Sequence, residues 1–248
     1  MNALEVRNLS KDFGGLRVLD NVSFSLRPGE RRGIIGPNGA GKTTLFNIIS
    51  GNLKPSAGDI FLYGARVTRL PSWHRSRLGL ARTFQKSNLF SGLSLYDNLY
   101  LALLATDSPF NAKDILKEWG MWEKRKICVD RLSHGEQRQV ELLLALAQHP
   151  RIILLDEPTA GLSPAETEVI VKIIGDLPRD ITILIIEHDM EVVFALAEKI
   201  TVLHFGQIVA EGSKEEIKSD PRVRQIYLGI GGEGLSRAAP KRSPQLLW

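Results

Sequence analysis

Cysteine is nearly absent. Cys128 stands alone in the chain, which excludes an internal disulfide and fits a reducing compartment. Nothing beside it suggests a nucleophile. Long apolar runs are missing too: "VELLLALA" and "ITILII" fall far short of the ~20 residues that a membrane helix needs. The opening stretch MNALEVRNLSK has no apolar region of the secretory kind. These absences predict a chain that is cytosolic or peripheral on a membrane rather than embedded in one. The imbalance between positive and negative charge is also small. The net charge is +4, and residues 229–248 supply half of it through Arg237, Lys241 and Arg242 against Glu233. So small an excess predicts no nucleic-acid partner. No internal repeat is visible.

What is present is an ordinary globular composition, 43% hydrophobic and 24% charged, long enough to bury a full core. Residues 4–9 and 17–26 alternate apolar and polar and read as strands of an antiparallel sheet. "RRGIIGPNGAGKTTLFNIISG" reads as a short strand, a glycine-rich turn and a helix with Leu45, Ile48 and Ile49 on one face, closed by Gly51. "GDIFLYGARV" reads as a hairpin. Residues 87–145 are predicted to be helical, with a run capped by Ser94, a second helix near 111–119 and a third beginning at "LSHGEQ". After them come the buried strand "RIILLDEP", a helix from Pro164, the strand "DITILIIEHD", a helix near 190–198 and the hairpin "KITVLHFGQIVAEG". Strands alternating with helices predict a parallel sheet that binds ligands at the strands' C-terminal ends. The Gly/Pro/Ser-rich stretch from Gly229 to Trp248 is expected to be disordered.

Two segments carry the chemistry. "GPNGAGKT", which is Gly36, Pro37, Asn38, Gly39, Ala40, Gly41, Lys42 and Thr43, matches G-x-x-x-x-G-K-[ST] between a predicted strand and helix. That context defines a phosphate-binding P-loop, extended into the helix by Thr44. Its backbone N–H groups wrap phosphates, Lys42 neutralises β/γ charge, and the Thr43 hydroxyl is offered to Mg²⁺. "IILLDEP" sets Asp156 and Glu157 side by side at the end of an apolar strand. Two carboxylates there fit a division of labour, Asp156 holding Mg²⁺ through water and Glu157 orienting and activating the attacking water. A third segment is ambiguous by itself. In "LSHGEQ" Ser133 and Glu136 form a capping box, and the helix N-terminus they close is also an anion site.

With these residues in view, the chain from about residue 4 to 229 resembles the nucleotide-binding subunit of an ATP-binding cassette (ABC) transporter. "LSHGE" precedes Asp156 as the family's LSGGQ signature precedes its strand-end Asp. The resemblance implies an α/β fold, a P-loop NTPase core with an antiparallel β subdomain and an inserted helical subdomain, over residues 1–228. It implies ATP hydrolysis with Mg²⁺, and two subunits packed head to tail. In that arrangement Ser133, His134, Gly135 and Glu136 of one subunit would cap the γ-phosphate in the P-loop of the other. Residue by residue, Phe13 matches the aromatic that stacks on adenine. Gln85 matches the glutamine that reaches Mg²⁺ and water, and His188 the histidine that contacts the γ-phosphate and holds Glu157. The chain departs from the pattern in three places: His134 stands where Gly is usual, Glu136 where Gln is, and Ser163 where Asp is.

The flanking segments "SKDFGGLRVLDNVSFSL", "GLARTFQKSNLFSGLSLYDNL" and "VRQIYLG" resemble the ATPase subunits of branched-chain amino acid and related amide or urea importers. That resemblance implies integral membrane subunits, an extracytoplasmic substrate-binding protein and a second, different cassette ATPase, or a second copy of this chain. It places the protein peripherally on the cytoplasmic face of the inner membrane. Two other readings stay open: the ATPase of an efflux or lipid-handling system, and a soluble assembly scaffold.

Overall fold

Three five-residue strands, β3 (Arg31–Ile35), β7 (Ile152–Asp156) and β8 (Thr182–Ile186), are buried at every position. A strand hidden on both faces belongs inside a parallel sheet covered by helices. The computed structural model describes residues 1–83, 89–105 and 110–228 and places these strands centrally. The six-stranded sheet runs β10-β9-β3-β8-β7-β6, with β6 at Leu80–Arg82, β9 at Lys199–His204 and β10 at Gln207–Gly212. Every neighbouring pair is parallel except the β9–β10 hairpin at the edge. A second, antiparallel sheet runs β2-β1-β4-β5, from β1 (Leu4–Phe13), β2 (Leu16–Leu26), β4 (Ala57–Leu62) and β5 (Ala65–Arg66).

Alternation along each central strand sorts its side chains to two cores. Ile152, Leu154, Leu184 and Ile186 face helix α1 (Lys42–Ser50), which lies between the two sheets with Leu45, Phe46, Ile48 and Ile49 buried. Leu4, Val6, Leu19, Phe24 and Ile60 of the antiparallel sheet close the same core from the other side. Ile153, Leu155, Ile183 and Ile185 point the opposite way and join Leu142 and Ala145 of α5 (His134–Leu146), Ile170 and Ile174 of α6 (Pro164–Gly175), and Val192 and Leu196 of α7 (Met190–Leu196).

Between β6 and β7 the described residues are helical: α3 (Leu95–Leu104), α4 (Ala112–Glu118), short 3₁₀ turns at 122–124 and 129–131, then α5. Leu99, Leu116, Val129, Val140 and Leu143 form a separate cluster there, so α5 serves two cores at once. Ser94 caps α3 by accepting from the Asp97 amide, as its sequence predicts. Three short helices and a strand were not expected: α2 (Ser72–Arg77), α8 (Lys214–Ser219), α9 (Pro221–Leu228) and β6. The α2 and β6 segments are too short to show a period. The α8 start did carry a readable capping box, Ser213 with Glu216, and α9 a proline at its first position after Asp220.

Two buried arginines finish helices by donating to carbonyls at their C-terminal ends. Arg31 donates to the Gly175 and Leu177 carbonyls at the end of α6, at 3.0 and 2.7 Å. Arg75, 1% exposed, donates to the carbonyls of Ile48, Ile49, Leu70 and Thr68 at 2.7–3.1 Å. Burial alone depresses its guanidinium to about 10. A positive group suits the negative end of α1, and Gly51 makes room for it with φ 85° and no Cβ to meet Arg75 Nε. Replacing Arg75 with Ala would strand the Ile49, Leu70 and Thr68 carbonyls, so Arg75→Ala is expected to destabilise the chain by about 3–5 kcal/mol. Urea unfolding monitored by circular dichroism checks this; an unchanged midpoint would refute the capping role.

Candidate active site

The P-loop spans the gap between β3 and α1. Gly41, at φ 103°, stands where a Cβ would strike the Val18 carbonyl and the Leu19 side chain, so the loop closes tightly on β2. Asn38, Gly39, Ala40, Gly41, Lys42, Thr43 and Thr44 line a cavity of about 390 Å³ together with Val18, Glu157 and His188. The first N–H groups of α1 have no acceptor within the helix and open toward this cavity, an arrangement that favours phosphate. The Lys42 ammonium donates to the Gly36 and Pro37 carbonyls at 2.6 and 3.0 Å. Burial lowers its pKa, opposed by the nearby charges of Glu157 and Asp156. A larger groove of about 1030 Å³, bounded by Trp119, Arg151 and Ile181, lies at the other end of the strands and holds none of these groups.

The two carboxylates at the end of β7, Asp156 and Glu157, differ sharply. Asp156 is 2% exposed. Its Oδ2 accepts from Arg82 Nη2 at 2.9 Å, while its Oδ1 is buried with no hydrogen-bond partner. Burial pushes its pKa up, against the pull of the Arg82 hydrogen bond. Glu157 takes φ 49°, a left-handed conformation that non-glycine residues seldom adopt, while its amide donates to the Ile186 carbonyl at 2.9 Å. Its Oε1 lies against His188 Nε2, beyond the end of β8.

Glu187, between β8 and His188, was not singled out from sequence. Its Oε1 accepts from the Thr159 amide at 2.9 Å and the Thr159 hydroxyl at 2.6 Å, and its Oε2 from the His188 amide at 3.1 Å. It therefore ties the turn after Glu157 to the segment that carries His188. Arg82 and Val18 were missed as well. An arginine within an apolar stretch gives no sign of its partner until the fold supplies one.

The signature residues occupy a different place. Ser133, His134, Gly135 and Glu136 begin α5 and do not line the P-loop cavity of the same chain. Ser133 caps the helix as expected, accepting from the Glu136 amide at 3.2 Å. Glu136 Oε2 accepts in return from the Ser133 amide at 2.9 Å, and its other oxygen pairs with Lys124. The Lys124 hydrogen bond, helped by Ser133, holds the Glu136 pKa low. The Gly135 amide donates to Glu166 Oε1 at 3.1 Å, and a Cβ on Gly135 would collide with that carboxylate. Glu166 also accepts from the Ser163 amide and hydroxyl, at 3.0 and 2.7 Å, in the capping box of α6. His134 Nε2 stands over Gly161, whose ideal Cβ would lie 3.3 Å away. Two of the departures from the family pattern, His134 and Ser163, thus flank one contact between α5 and the turn before α6.

Phe13 sits at the tip of the β1–β2 hairpin, 46% exposed, with the Lys11 ammonium 4.9 Å from its ring centroid, and does not line the phosphate cavity. Gln85 and the stretch from Gly229 lie outside the described residues.

Residues 19–160 match the family described as ABC transporter. The chain is 37% identical to the high-affinity branched-chain amino acid transport ATP-binding protein LivG of Escherichia coli (strain K12), over 91% of this chain and 97% of LivG. It is 40% identical to the lipopolysaccharide export system ATP-binding protein LptB of Acidithiobacillus ferridurans, over 91% and 96%. A crystal structure of a nucleotide-free ATP-binding cassette from an ABC transporter superposes with a TM-score of 0.83 at 33% identity, covering 94% of this chain and all of that one. A strand-to-helix P-loop, paired strand-end carboxylates and a cassette architecture over nine-tenths of the sequence lead to one conclusion: the chain belongs to the ABC transporter family, as one of its ATPases.

Proposed function

We propose that this ATPase energises import of a branched-chain amino acid or a closely related small molecule. The observation that carries the mechanism is the meeting of Lys42, Glu157 and His188 in one phosphate-sized cavity; the likeness to LivG carries the substrate class. On this reading the Lys42 ammonium turns from the loop carbonyls to the β- and γ-phosphates, and the start of α1 donates backbone N–H groups to them. Magnesium bound with ATP would neutralise phosphate charge. The residues fit such an ion: Asp156 Oδ1 is a buried carboxylate oxygen lacking a partner, and Thr43, exposed toward the cavity, adds a hydroxyl. Gln85 completes the set on the family pattern alone, as Phe13 does for adenine. Glu157 takes the proton of the attacking water, and His188 steadies that carboxylate while facing the γ-phosphate.

Because Ser133–Glu136 lie away from the P-loop cavity of their own chain, the reading requires a second cassette to supply the γ-phosphate cap. That cassette is a different ABC ATPase subunit or a second copy of this chain. The pair would sit beneath integral membrane subunits fed by an extracytoplasmic binding protein, peripherally on the cytoplasmic face of the inner membrane. No described helix is long and apolar enough to cross a membrane itself. The identity to LptB favours one rival, a lipid-handling exporter.

Glu157→Gln is expected to bind ATP normally while hydrolysis falls by about 10²-fold or more, measured as phosphate release at saturating ATP. Near-normal turnover would remove Glu157 from the base role. Lys42→Ala should lose about tenfold or more in ATP affinity, because a charge-assisted contact disappears. Retained tight binding would count against the P-loop assignment. Affinity purification of the tagged chain from gently solubilised membranes separates the transport readings. Recovery of membrane subunits, a second cassette and an amino-acid-binding protein supports the importer; a lipopolysaccharide-handling assembly supports the exporter, and soluble companions alone refute transport.

A further inference from the structure

Arg82 leaves the end of β6 and is almost wholly buried, with 6% of its side chain exposed. Its guanidinium bonds to two elements of the core. Nη2 donates to Asp156 Oδ2 at 2.9 Å. Nη1 donates to Asn47 Oδ1 at 2.7 Å and to Ser50 Oγ at 2.9 Å, both on α1. The same group lies over the Phe46 ring, 5.8 Å from its centroid.

A pair that existed only to neutralise a buried charge would favour two parallel bonds, satisfying both carboxylate oxygens. Here the second guanidinium nitrogen is held by α1 instead, and Asp156 Oδ1 is left buried without a hydrogen bond. A polar atom abandoned in this way calls for a ligand that the protein itself does not supply. The bond to Oδ2 also fixes the plane of the carboxylate, so Oδ1 cannot rotate away. Asn47 and Ser50 fix the guanidinium in turn, and they belong to the helix whose first turn holds Lys42 and Thr43.

We propose that Arg82 is a positioning residue for the magnesium ion that accompanies ATP, pinning one oxygen of Asp156 so that the other is aimed at the ion or its bound water. This rests on the reading of Asp156 as the carboxylate that holds the ion. The guanidinium touches neither nucleotide nor metal; it acts through the carboxylate and registers that carboxylate against α1.

The test is equilibrium binding of N-methylanthraniloyl-ATP to the purified full-length chain, in excess EDTA and across a magnesium titration. Groups that orient metal ligands are worth 10–100-fold in metal affinity, so Arg82→Met should weaken the magnesium-dependent step by about tenfold or more and leave EDTA binding within about twofold. Arg82→Lys, which keeps the charge but cannot span Asp156, Asn47 and Ser50 together, should fall between. A magnesium titration identical to the unaltered chain overturns the inference, as does a parallel loss of binding in EDTA, the mark of a merely structural role. If Arg82→Met loses its cooperative thermal transition, Arg82→Lys decides by the same two criteria. An unaltered chain whose ATP binding ignores magnesium refutes the reading of Asp156 itself, and the inference with it.

Discussion

Everything at the active site depends on the seating of α1. This helix of nine residues is wedged between the parallel sheet and the antiparallel one, with Leu45, Phe46, Ile48 and Ile49 sealed from water on the core side. Burying side chains of this kind contributes about 1.5–3 kcal/mol each, so the position of the helix is firmly set. Its two ends are electrically opposite. The N-terminal end opens into the phosphate cavity, and the C-terminal end is closed by the buried Arg75 guanidinium. The glycines on either side, Gly41 and Gly51, let neighbouring backbone approach closely without a Cβ in the way.

The parallel sheet provides the second fixed reference. Strands β3, β7 and β8 end together, and the P-loop, Asp156 with Glu157, and Glu187 with His188 all emerge from that edge. Loops built on strands so completely buried have little freedom. Glu157 shows the strain this permits, held at a positive φ by its bond to the Ile186 carbonyl while its side chain meets His188. Glu187 braces the same corner from beneath by gathering Thr159 and the His188 amide.

Much of this was legible in the sequence because the signals were local. The P-loop sits between its strand and helix, the capping boxes at Ser133 and Ser163 form as written, period-two runs became β1 and β2, and short apolar runs became the central strands. What escaped was non-local. "RRGII" reads as an apolar strand, yet Arg31 and Arg32 are buried within it, the first capping α6 and the second paired with Glu30 and Glu211. Arg75 and Arg82 likewise find their partners across long stretches of chain. A buried arginine is indistinguishable from a surface one until tertiary contacts supply its acceptors. Glu136, whose capping-box role was readable, also pairs with Lys124, twelve residues earlier, a contact that no local pattern shows.

The bond from Gly135 to Glu166 has a mechanical consequence. It clips the first turn of α5 to the first turn of α6, and His134 resting over Gly161 adds a second point of contact. From that turn, Thr159 is fastened to Glu187, whose other oxygen holds the His188 amide. The start of α5 and the corner carrying Glu157 and His188 are therefore successive links in one short linkage. A push against the tip of α5 from outside passes by hydrogen bonds from Gly135 to Glu166 and Ser163, along the chain to Leu162, and from the Leu162 amide to the Thr159 carbonyl, into the corner where water would be activated.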